Sequence, residues 1–396
     1  MDQLLPILTA INGIVWGPFV LIPLLLGTGI YLTVRFGGIQ LLRLGVALRL
    51  GLLRRKDDDA EGDISQFQAL TTALAATVGV GNIVGVAGAI SMGGPGAVFW
   101  MWVTGLVGMA TKYAEAFLGV RFRRTDVAGE KTGGPQYYLQ LGIRGPLGTI
   151  LAVSFALMAM LASFGAGNMA QANAISTNLE SSAGVSALLT GLILSGVALV
   201  VLIGGVRSIG RVTASLVPIM IVAYVVASLY ILTVNIAEIP AAFAQIFMGA
   251  FTGAGVNPEA VAGGLWGAAV MYAIQFGVAR GIFSNESGLG SAGIAAAAAQ
   301  TTHPVRQGLV SMTQTFIDTI IVVTLTALVL ISTGVWTSRE PGTMTGEAFS
   351  TGLPGEWGHW VVTLALVLFA FSTMLGWAYY GERNVERLFG RKLVTP

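Results

Sequence analysis

Long apolar runs recur along the chain and determine its predicted architecture. A helix needs about 20 mainly apolar residues to cross the hydrocarbon of a bilayer. Runs of this kind predict nine spans, which cover residues 11–34, 66–92, 95–120, 147–172, 184–205, 213–234, 262–299, 307–333 and 357–380. The seventh run is too long for one straight helix and is rich in glycine, so we predict that it is interrupted. Residues 1–396 are therefore expected to form a single all-α transmembrane domain.

The composition is that of an integral membrane protein. Hydrophobic residues make up 54% of the chain, charged residues only 10%, and the mean hydropathy is +0.77, which is far more apolar than a soluble domain. The first run lacks the charged start and small-residue cleavage site of a signal peptide, so we keep it as a span. A net charge of +2 without clustered Lys or Arg argues against a nucleic-acid partner. The lipid bilayer is therefore the expected surrounding.

Basic residues concentrate in alternate connections between the predicted spans. If the N-terminus is outside, eighteen of the 21 Lys and Arg residues fall on the inner side. Arg339 falls outside, and Lys112 and Arg280 lie within spans. Because cytoplasmic loops carry an excess of Lys and Arg, we predict a multi-pass protein of the cell membrane with an outer N-terminus and a cytoplasmic C-terminus.

The second span contains the glycine-rich run "ATVGVGNIVGVAGAI" at residues 76–90. It does not fit a dinucleotide-binding loop, because Val84 stands where that fingerprint needs its third glycine and apolar sequence flanks it on both sides. Glycine allows a membrane helix to break at low steric cost, which frees carbonyl and amide groups for a sodium ion or a carboxylate. The alternative is close helix packing through Gly81 and Gly85, and the stretch taken alone favours packing.

A second stretch changes this balance. "FGVARGIFSNESGLGSAGIAAAAA", at residues 276–299, combines repeated glycines with the polar cluster Ser284 to Ser287 inside an apolar run. By alternation, span 66–92 runs outward and span 262–299 runs inward. Two interrupted helices of opposite direction, five spans apart, are typical of secondary transporters built from inverted repeats, with a site near the midplane of the membrane.

Four long motifs also carry a family resemblance: "TTALAATVGVGNIVGVAGAISMGGPGAVFWMWVTGLVGMATKYAEAFLGVRFR" (71–123), "KTGGPQYYL" (131–139), "RGIFSNESGLGSAGIAAAAAQTTHPVRQGLVSMTQTFIDTIIVVTLTAL" (280–328) and "FSTMLGWAYYGERNVERLFG" (371–390). From residue 66 onward the chain resembles the alanine or glycine:cation symporter family. The resemblance implies Na+ as the coupling ion and uptake of a small neutral amino acid. It also implies a LeuT-like fold, in which an extra N-terminal helix precedes two inverted five-helix repeats.

The sequence departs from the family pattern at its end. Members of the family usually continue past "GERNVERLFG" with two more membrane helices, whereas this sequence stops at Pro396. We therefore expect the last two helices of the second repeat to be lacking, which puts full transport in doubt although binding is expected to survive.

An amino-acid zwitterion needs amide donors for its carboxylate and oxygen acceptors for its ammonium group. We assign the carboxylate to amides freed at the first break, at Thr77, Gly79 and Gly81. We assign the ammonium group to carbonyls freed at the second break, around Phe276, Gly277 and Gly281. Neither assignment needs a charged side chain.

The ninth span supplies oxygen and aromatic candidates. We expect the hydroxyls of Ser372 and Thr373 to bind Na+ with carbonyls near Ala76 and Gly79, because a hard cation prefers oxygen ligands. The resemblance implies that Thr373 and Trp377 line the substrate pocket, with the indole limiting the bound side chain to about a methyl group. The alternatives are hydroxyls bonded to their own helix backbone and a tryptophan at the membrane interface.

The stretch "SFGAGNMAQAN", at residues 163–173, places Phe164, Asn168 and Gln171 at helical spacings of four and three. These side chains would share one helix face. They either face the substrate site, with Phe164 and Asn168 binding it, or serve helix packing.

Charged residues inside spans are costly and usually mark function or a buried pair. Lys112 and Glu115 lie three residues apart, and we interpret them as a local structural pair. Asp318, in "TQTFIDTI", has no basic neighbour on its own helix. We hypothesise that Arg280, Glu286 and Asp318 form a gating network on the inner side that opens and closes during transport.

Other functions fit the sequence less well. An enzyme is disfavoured because the chain has two histidines, no cysteine and neither the HExxH nor the GxSxG motif. A passive channel would also use glycine-broken helices, but it would not concentrate a substrate. The third alternative is a protein that binds substrate without transporting it. These patterns leave alanine or glycine, D or L enantiomer, and Na+ or H+ open.

Overall fold

The structure is a computed structural model that describes residues 4–17, 19–53, 60–257, 266–355 and 357–394. Most of this part of the chain is helical. The helices are α1 Leu4–Val15, α2 Ile22–Arg35, α3 Leu44–Leu53, α4 Gln66–Thr77, α5 Gly81–Gly93, α6 Gly96–Arg121, α7 Pro135–Gly142, α8 Pro146–Ala183, α9 Ala187–Leu202, α10 Gly205–Val234, α11 Ile239–Thr252, α12 Trp266–Asn285, α13 Ala292–Ala297, α14 Pro304–Ser332, α15 Met344–Gly352 and α16 Trp357–Phe389. Strands β1 Arg124–Thr125 and β2 Lys131–Thr132 form a short antiparallel hairpin.

Several helices begin at recognisable local signals. Ser65 caps α4, because its hydroxyl accepts from the Gln68 N–H while the Gln68 side chain accepts from the Ser65 N–H. Prolines occupy the first positions of α8 and α14, where a missing N–H costs nothing. Gly184 ends α8 with a left-handed backbone, at φ 66°.

Most predicted spans are confirmed as helices. Within the described residues, α8, α10, α14 and α16 are long and apolar enough to cross a membrane, and the bent pair α4–α5 adds a fifth candidate. Helix α6 matches the predicted span 95–120, and α9 covers most of 184–205. Three helices are clearly longer than predicted, since α8 continues to Ala183, α10 begins at Gly205 and α16 continues to Phe389.

Two predictions about helices need correction. Residues 11–34 do not form one continuous helix, because α1 ends at Val15 and α2 begins at Ile22. The Gly17 amide bonds to Ile14 in a turn there, and proline follows it in the sequence. The apolar helix α11 was not predicted at all. Of the seventh predicted span, residues 262–265 lie outside the described residues.

Helices α6 and α16 are the packing centres of the bundle. Helix α6 contacts α2, α11, α12, α13 and α14, whereas α16 contacts α4, α8, α10 and α15. Glycine allows the closest approaches, since a Cβ at Gly119 would lie 2.3 Å from the carbonyl oxygen of Gly293. The outer faces of α8 and α9 expose many Leu, Ile and Val side chains, as lipid-facing surfaces do.

The two interrupted helices pack side by side in opposite directions. Helix α5 contacts α12, and α4 contacts α13. Because α5 follows its break while α12 precedes its own, the two chains must run antiparallel. The predicted opposite directions of these segments are therefore confirmed.

Ion pairs join the β-hairpin to the end of α16. Arg383 pairs with Glu130 at 2.6 Å, and Arg391 pairs with Asp126. Burial disfavours the charged form of Asp126, yet backbone N–H donors from Glu130 and Ala128 and the nearby Arg391 hold its pKa below the usual range. Charged side chains thus hold the hairpin against the end of α16.

Candidate functional site

The first break lies where the glycine run predicted it. Helix α4 ends at Thr77, α5 begins at Gly81, and their axes are bent by 53°. Val78 has extended backbone dihedrals, at φ −76° and ψ 90°. The prediction of an interrupted second span is confirmed.

Two side chains accept hydrogen bonds from backbone amides at this break. The Gly79 N–H donates to Asn82 Oδ1 at 2.9 Å, and the Val80 N–H donates to Gln171 Oε1 at 3.4 Å. Gln171 Nε2 in turn donates to the Ala166 carbonyl at 3.1 Å. Asn82 was not predicted as a site residue, although a polar residue directly after a glycine-rich break is a signal for such a role. These amides are the donors that an amino-acid carboxylate would need.

Thr77 points away from these amides. Its hydroxyl donates to the Ala73 carbonyl at 3.1 Å and accepts from Gln314 Nε2 at 3.1 Å. It therefore joins α4 to α14 rather than facing Gly79. Substrate binding by Thr77 stays a prediction.

Four oxygens converge just before the break, on α4 and α16. The hydroxyls of Ser372 and Thr373 donate to the Ala75 carbonyl at 3.4 and 3.0 Å, and to the Phe369 carbonyl of their own helix at 2.8 and 3.0 Å. The structure thus shows both hydroxyls bonded to their own helix backbone, and Na+ binding by them stays a prediction. Both side chains are buried. An all-oxygen set of this kind fits a hard cation such as Na+.

The other predicted sodium ligands lie at different distances from this cluster. A Cβ at Gly79 would lie 2.3 Å from Thr373 Oγ1, so the backbone of Gly79 adjoins the hydroxyls. On α4, the carbonyl that accepts from both hydroxyls belongs to Ala75, whereas Ala76 packs its backbone against Gly376. Of the predicted sodium ligands, Ser372 and Thr373 thus belong to the cluster, and the backbone of Gly79 lies next to it.

The second break lies further along the chain than predicted. Helix α12 continues to Asn285, and α13 begins at Ala292. Glu286, Gly288 and Gly290 all have positive φ. The expectation of free carbonyls at residues 276–281 is therefore wrong, because those carbonyls lie inside a helix.

The glycines of α12 serve close packing instead. A Cβ at Gly277 would lie 2.3 Å from the Ala97 carbonyl, and one at Gly281 would lie 2.3 Å from Thr104 Oγ1. Both neighbours belong to α6. The two positions therefore allow α6 and α12 to approach closely.

A cavity of about 510 Å³ borders α12 on another face. Its lining residues are Asn12, Gly13, Trp16, Ala166, Gln275, Phe276, Ala279, Arg280 and Phe283. It is close to the first break, because Ala166 accepts from Gln171 and the Phe283 ring lies against Gly81. Phe276 is thus placed at a cavity beside the break, as a substrate-lining residue would be.

Phe164 and Asn168 lie on another surface. They line a groove between α8, α9 and α16, and Phe164 is 60% exposed. Gln171 is buried and faces the first break. The wide π-helical turn Gly165–Met169 explains the difference, since it inserts an extra residue and rotates the rest of α8.

Trp377 packs against the same π-helical turn. A Cβ at Gly167 would lie 2.4 Å from the Cβ of Trp377, and the indole meets the Tyr380 ring edge-on at 5.7 Å. The indole also interacts with the Glu286 carboxyl group. Trp377 thus connects α8 to the second break.

Asp318 joins the two interrupted helices. Its carboxyl group accepts from Asn82 Nδ2 of α5 at 2.8 Å and from Ser284 Oγ of α12 at 2.9 Å. The Thr319 hydroxyl donates to it at 2.8 Å. Asp318 is fully buried on α14, so these hydrogen bonds link α14 to both α5 and α12.

The predicted gating network of Arg280, Glu286 and Asp318 does not form as a unit. In the part of the chain that the structure describes, no ion pair joins Arg280 to either carboxyl group. Arg280 lies over the Phe283 ring and beside Gly88. Arg280 lies within α12, whereas Glu286 follows the end of that helix with a positive φ, at 55°, so helical spacing does not bring the two side chains together.

A bundle of membrane-length helices with two antiparallel interrupted helices defines a membrane protein of the secondary-transporter class. The sequence profile of the sodium:alanine symporter family matches residues 1–396. The chain belongs to this family, and it is therefore a transporter and not an enzyme.

Individual relatives are similar over most of their length. The sodium/alanine symporter AgcS of Methanococcus maripaludis is 50% identical over 98% of this chain and 84% of its own. An uncharacterised transporter of Haemophilus influenzae is 51% identical over 97% of this chain and 82% of its own. The probable sodium/glutamine symporter GlnT of Bacillus subtilis is 37% identical over 97% and 78%.

Proposed function

We propose that the chain is a symporter that uses a Na+ gradient to import a small neutral amino acid, alanine or glycine, by alternating access. The oxygen cluster of Ala75, Phe369, Ser372 and Thr373 is the observation that carries this proposal. It lies between α4 and α16 beside the first break. Na+ bound there would link the arrangement of these two helices to occupancy of the adjacent substrate site.

The substrate site is assigned to the first break and the cavity beside it. The substrate carboxylate would take over the amides of Gly79 and Val80, which now donate to Asn82 and Gln171. Phe276 and Phe283 would cover its apolar part. The greater identity to a relative named for alanine than to one named for glutamine favours a small side chain.

Some predicted substrate contacts have weaker support. They are the second break, Phe164, Asn168 and Trp377. Trp377 packs against Gly167 of α8 and interacts with Glu286 at the second break. Phe164 and Asn168 line the groove on the other side of α8. We therefore place the substrate nearer to Gly79 and Gln171 than to these residues.

We infer a LeuT-like inverted repeat, in which the two interrupted helices move against α6 and α16. Their antiparallel packing supports this inference. Charged contacts close one end of the bundle, between the hairpin and Arg383. Opening that end while the other closes would give alternating access. A passive channel is not favoured, because the family consists of symporters.

We infer an outer N-terminus and a cytoplasmic C-terminus. Arg339 bonds to Ser91 at the end of α5, whereas Arg123 bonds to Glu61 before α4, so they lie at opposite ends of the bent span. The chain has no cysteine, so single cysteines at Thr337 and Ala128 can be labelled selectively. In intact cells an impermeant maleimide should label Thr337→Cys and not Ala128→Cys, and the reverse pattern would invert the topology.

Binding of labelled alanine to the purified chain tests the proposed function. We expect saturable binding in Na+ and none above background in K+ at equal ionic strength, because the oxygen cluster must hold Na+ for the break to receive substrate. Unlabelled glycine should compete better than glutamine, and competition by D- and L-alanine reports the enantiomer. Equal binding in Na+ and K+ would contradict sodium coupling.

A further inference from the structure

Glu115 of α6 extends into the second break. Its Oε1 accepts from the backbone N–H groups of Gly288 at 2.7 Å and Gly290 at 3.1 Å. Both glycines have positive φ, at 98° and 81°, in the segment between α12 and α13. Unsatisfied backbone groups at membrane depth are costly. A side chain from α6 thus supplies the acceptor that the broken helix lacks.

Lys112 lies one helical turn before Glu115 and is completely buried. Its Nζ is 3.9 Å from Glu115 Oε2, which confirms the expected local pair. Among the described residues, neither of these two atoms has a hydrogen-bond partner. A buried ammonium group is costly unless opposite charge accompanies it. Its surroundings must therefore supply that charge.

The groups around Lys112 are mostly acidic. Its charge acts on Glu115, Glu286 and Asp318. Glu286 also accepts from Ser291 Oγ at 2.5 Å across the break. The titratable or charged groups that face this cluster are Lys112 and Glu115 on α6, Glu286 at the break, Asp318 on α14, Tyr138 on α7 and Tyr380 on α16. Within that set, Lys112 is the one cation.

We propose that Lys112 is a positioning residue for transport. It is a fixed internal cation that offsets the negative charge of Glu115 and Glu286. Glu115 can then stay ionised and keep accepting from the Gly288 and Gly290 N–H groups, which stabilises the second break. This role rests on the function proposed above, and it means that positive charge reaches the two breaks from different sources. The first break uses exchangeable Na+, and the second uses an ammonium group that is part of the chain.

Charge-balanced variants separate this role from simple packing. We expect Lys112→Gln to lower alanine uptake into proteoliposomes about tenfold or more at neutral pH, since an uncompensated buried carboxylate remains. Uptake should recover on acidification, because a proton on either glutamate restores the balance. The double variant Lys112→Gln with Glu115→Gln keeps the net charge of the wild type, and it should regain most of the rate without the new pH dependence.

Lys131→Gln is the matched control. Lys131 pairs with Glu61 at 2.6 Å, and the Glu61 side chain is exposed, so this variant should keep the rate and pH profile of the wild type. If Lys112→Gln transports with the rate and pH profile of the wild type, the proposal is overturned. If Lys112→Gln does not fold, the double variant decides. A folded and active double variant supports the proposal, and one that fails equally overturns it.

Thermal unfolding of the purified proteins separates this proposal from the proposed function. Lys112→Gln should unfold at a lower temperature than the wild type at neutral pH and approach it in acid, whereas the double variant should show no such pH dependence. This readout does not require transport. If the wild type takes up no alanine, the proposed function fails, and the unfolding data still support or overturn the role of Lys112.

Discussion

Replacing Asp318 by alanine is expected to reduce sodium-driven alanine uptake by about 100-fold or more. The change removes the acceptor for Asn82 and Ser284, both buried. A buried donor without a partner costs about 1–3 kcal/mol, and two such donors at about 1.4 kcal/mol each correspond to about a 100-fold loss in rate. Initial rates of labelled alanine uptake, at matched protein content, measure the effect.

Asp318→Asn tests the same contact with less change in volume. Its amide oxygen can still accept from Asn82, but its NH2 group cannot accept from Ser284, so we expect an intermediate loss. Glu180→Gln is the control, since Glu180 is an exposed acidic residue at the end of α8. Wild-type rates in both Asp318 variants would mean that this carboxyl group does not link the interrupted helices during transport.

Removing the hydroxyl of Thr373 is expected to raise the Na+ concentration for half-maximal uptake about tenfold. Thr373→Ala deletes one of four converging oxygens, and a loss of about 1.4 kcal/mol in ion binding corresponds to that factor. Ser372→Ala should act in the same direction, and the double variant should need still more Na+. A sodium titration of alanine uptake provides the measurement.

Thr363→Ala provides the matched control on the same helix. The Thr363 hydroxyl is buried and lies 3.3 Å from Ser182 Oγ, away from α4. Its loss should leave the sodium requirement unchanged. If Thr373→Ala and Ser372→Ala also leave it unchanged, Na+ binds elsewhere.

The first break could be predicted from the sequence because a run of glycines lowers the cost of leaving the helix. Asn82, which supplies an acceptor for the Gly79 amide, was not recognised from the sequence. The second break was placed too early, at Phe276 to Gly281. Glycines that break a helix and glycines that let helices touch look alike in sequence, and only the packing of α12 on α6 separates them.

Other parts of the site depend on tertiary contacts that no local pattern records. The role of Gln171 was obscured because a π-helical turn rotates it away from Phe164. The acceptor for the Gly288 and Gly290 amides is Glu115, more than 170 residues earlier in the chain. Asp318 was recognised from its isolated charge alone, but its partners are known only from the fold.

Accumulation of labelled alanine in proteoliposomes distinguishes sodium-driven symport from passive movement. An inward Na+ gradient should drive alanine above its equilibrium concentration, and collapsing that gradient with a sodium ionophore should release it. Replacing Na+ by K+ should abolish accumulation. Alanine that only equilibrates, at the same rate with and without the gradient, would contradict symport and indicate a passive pathway.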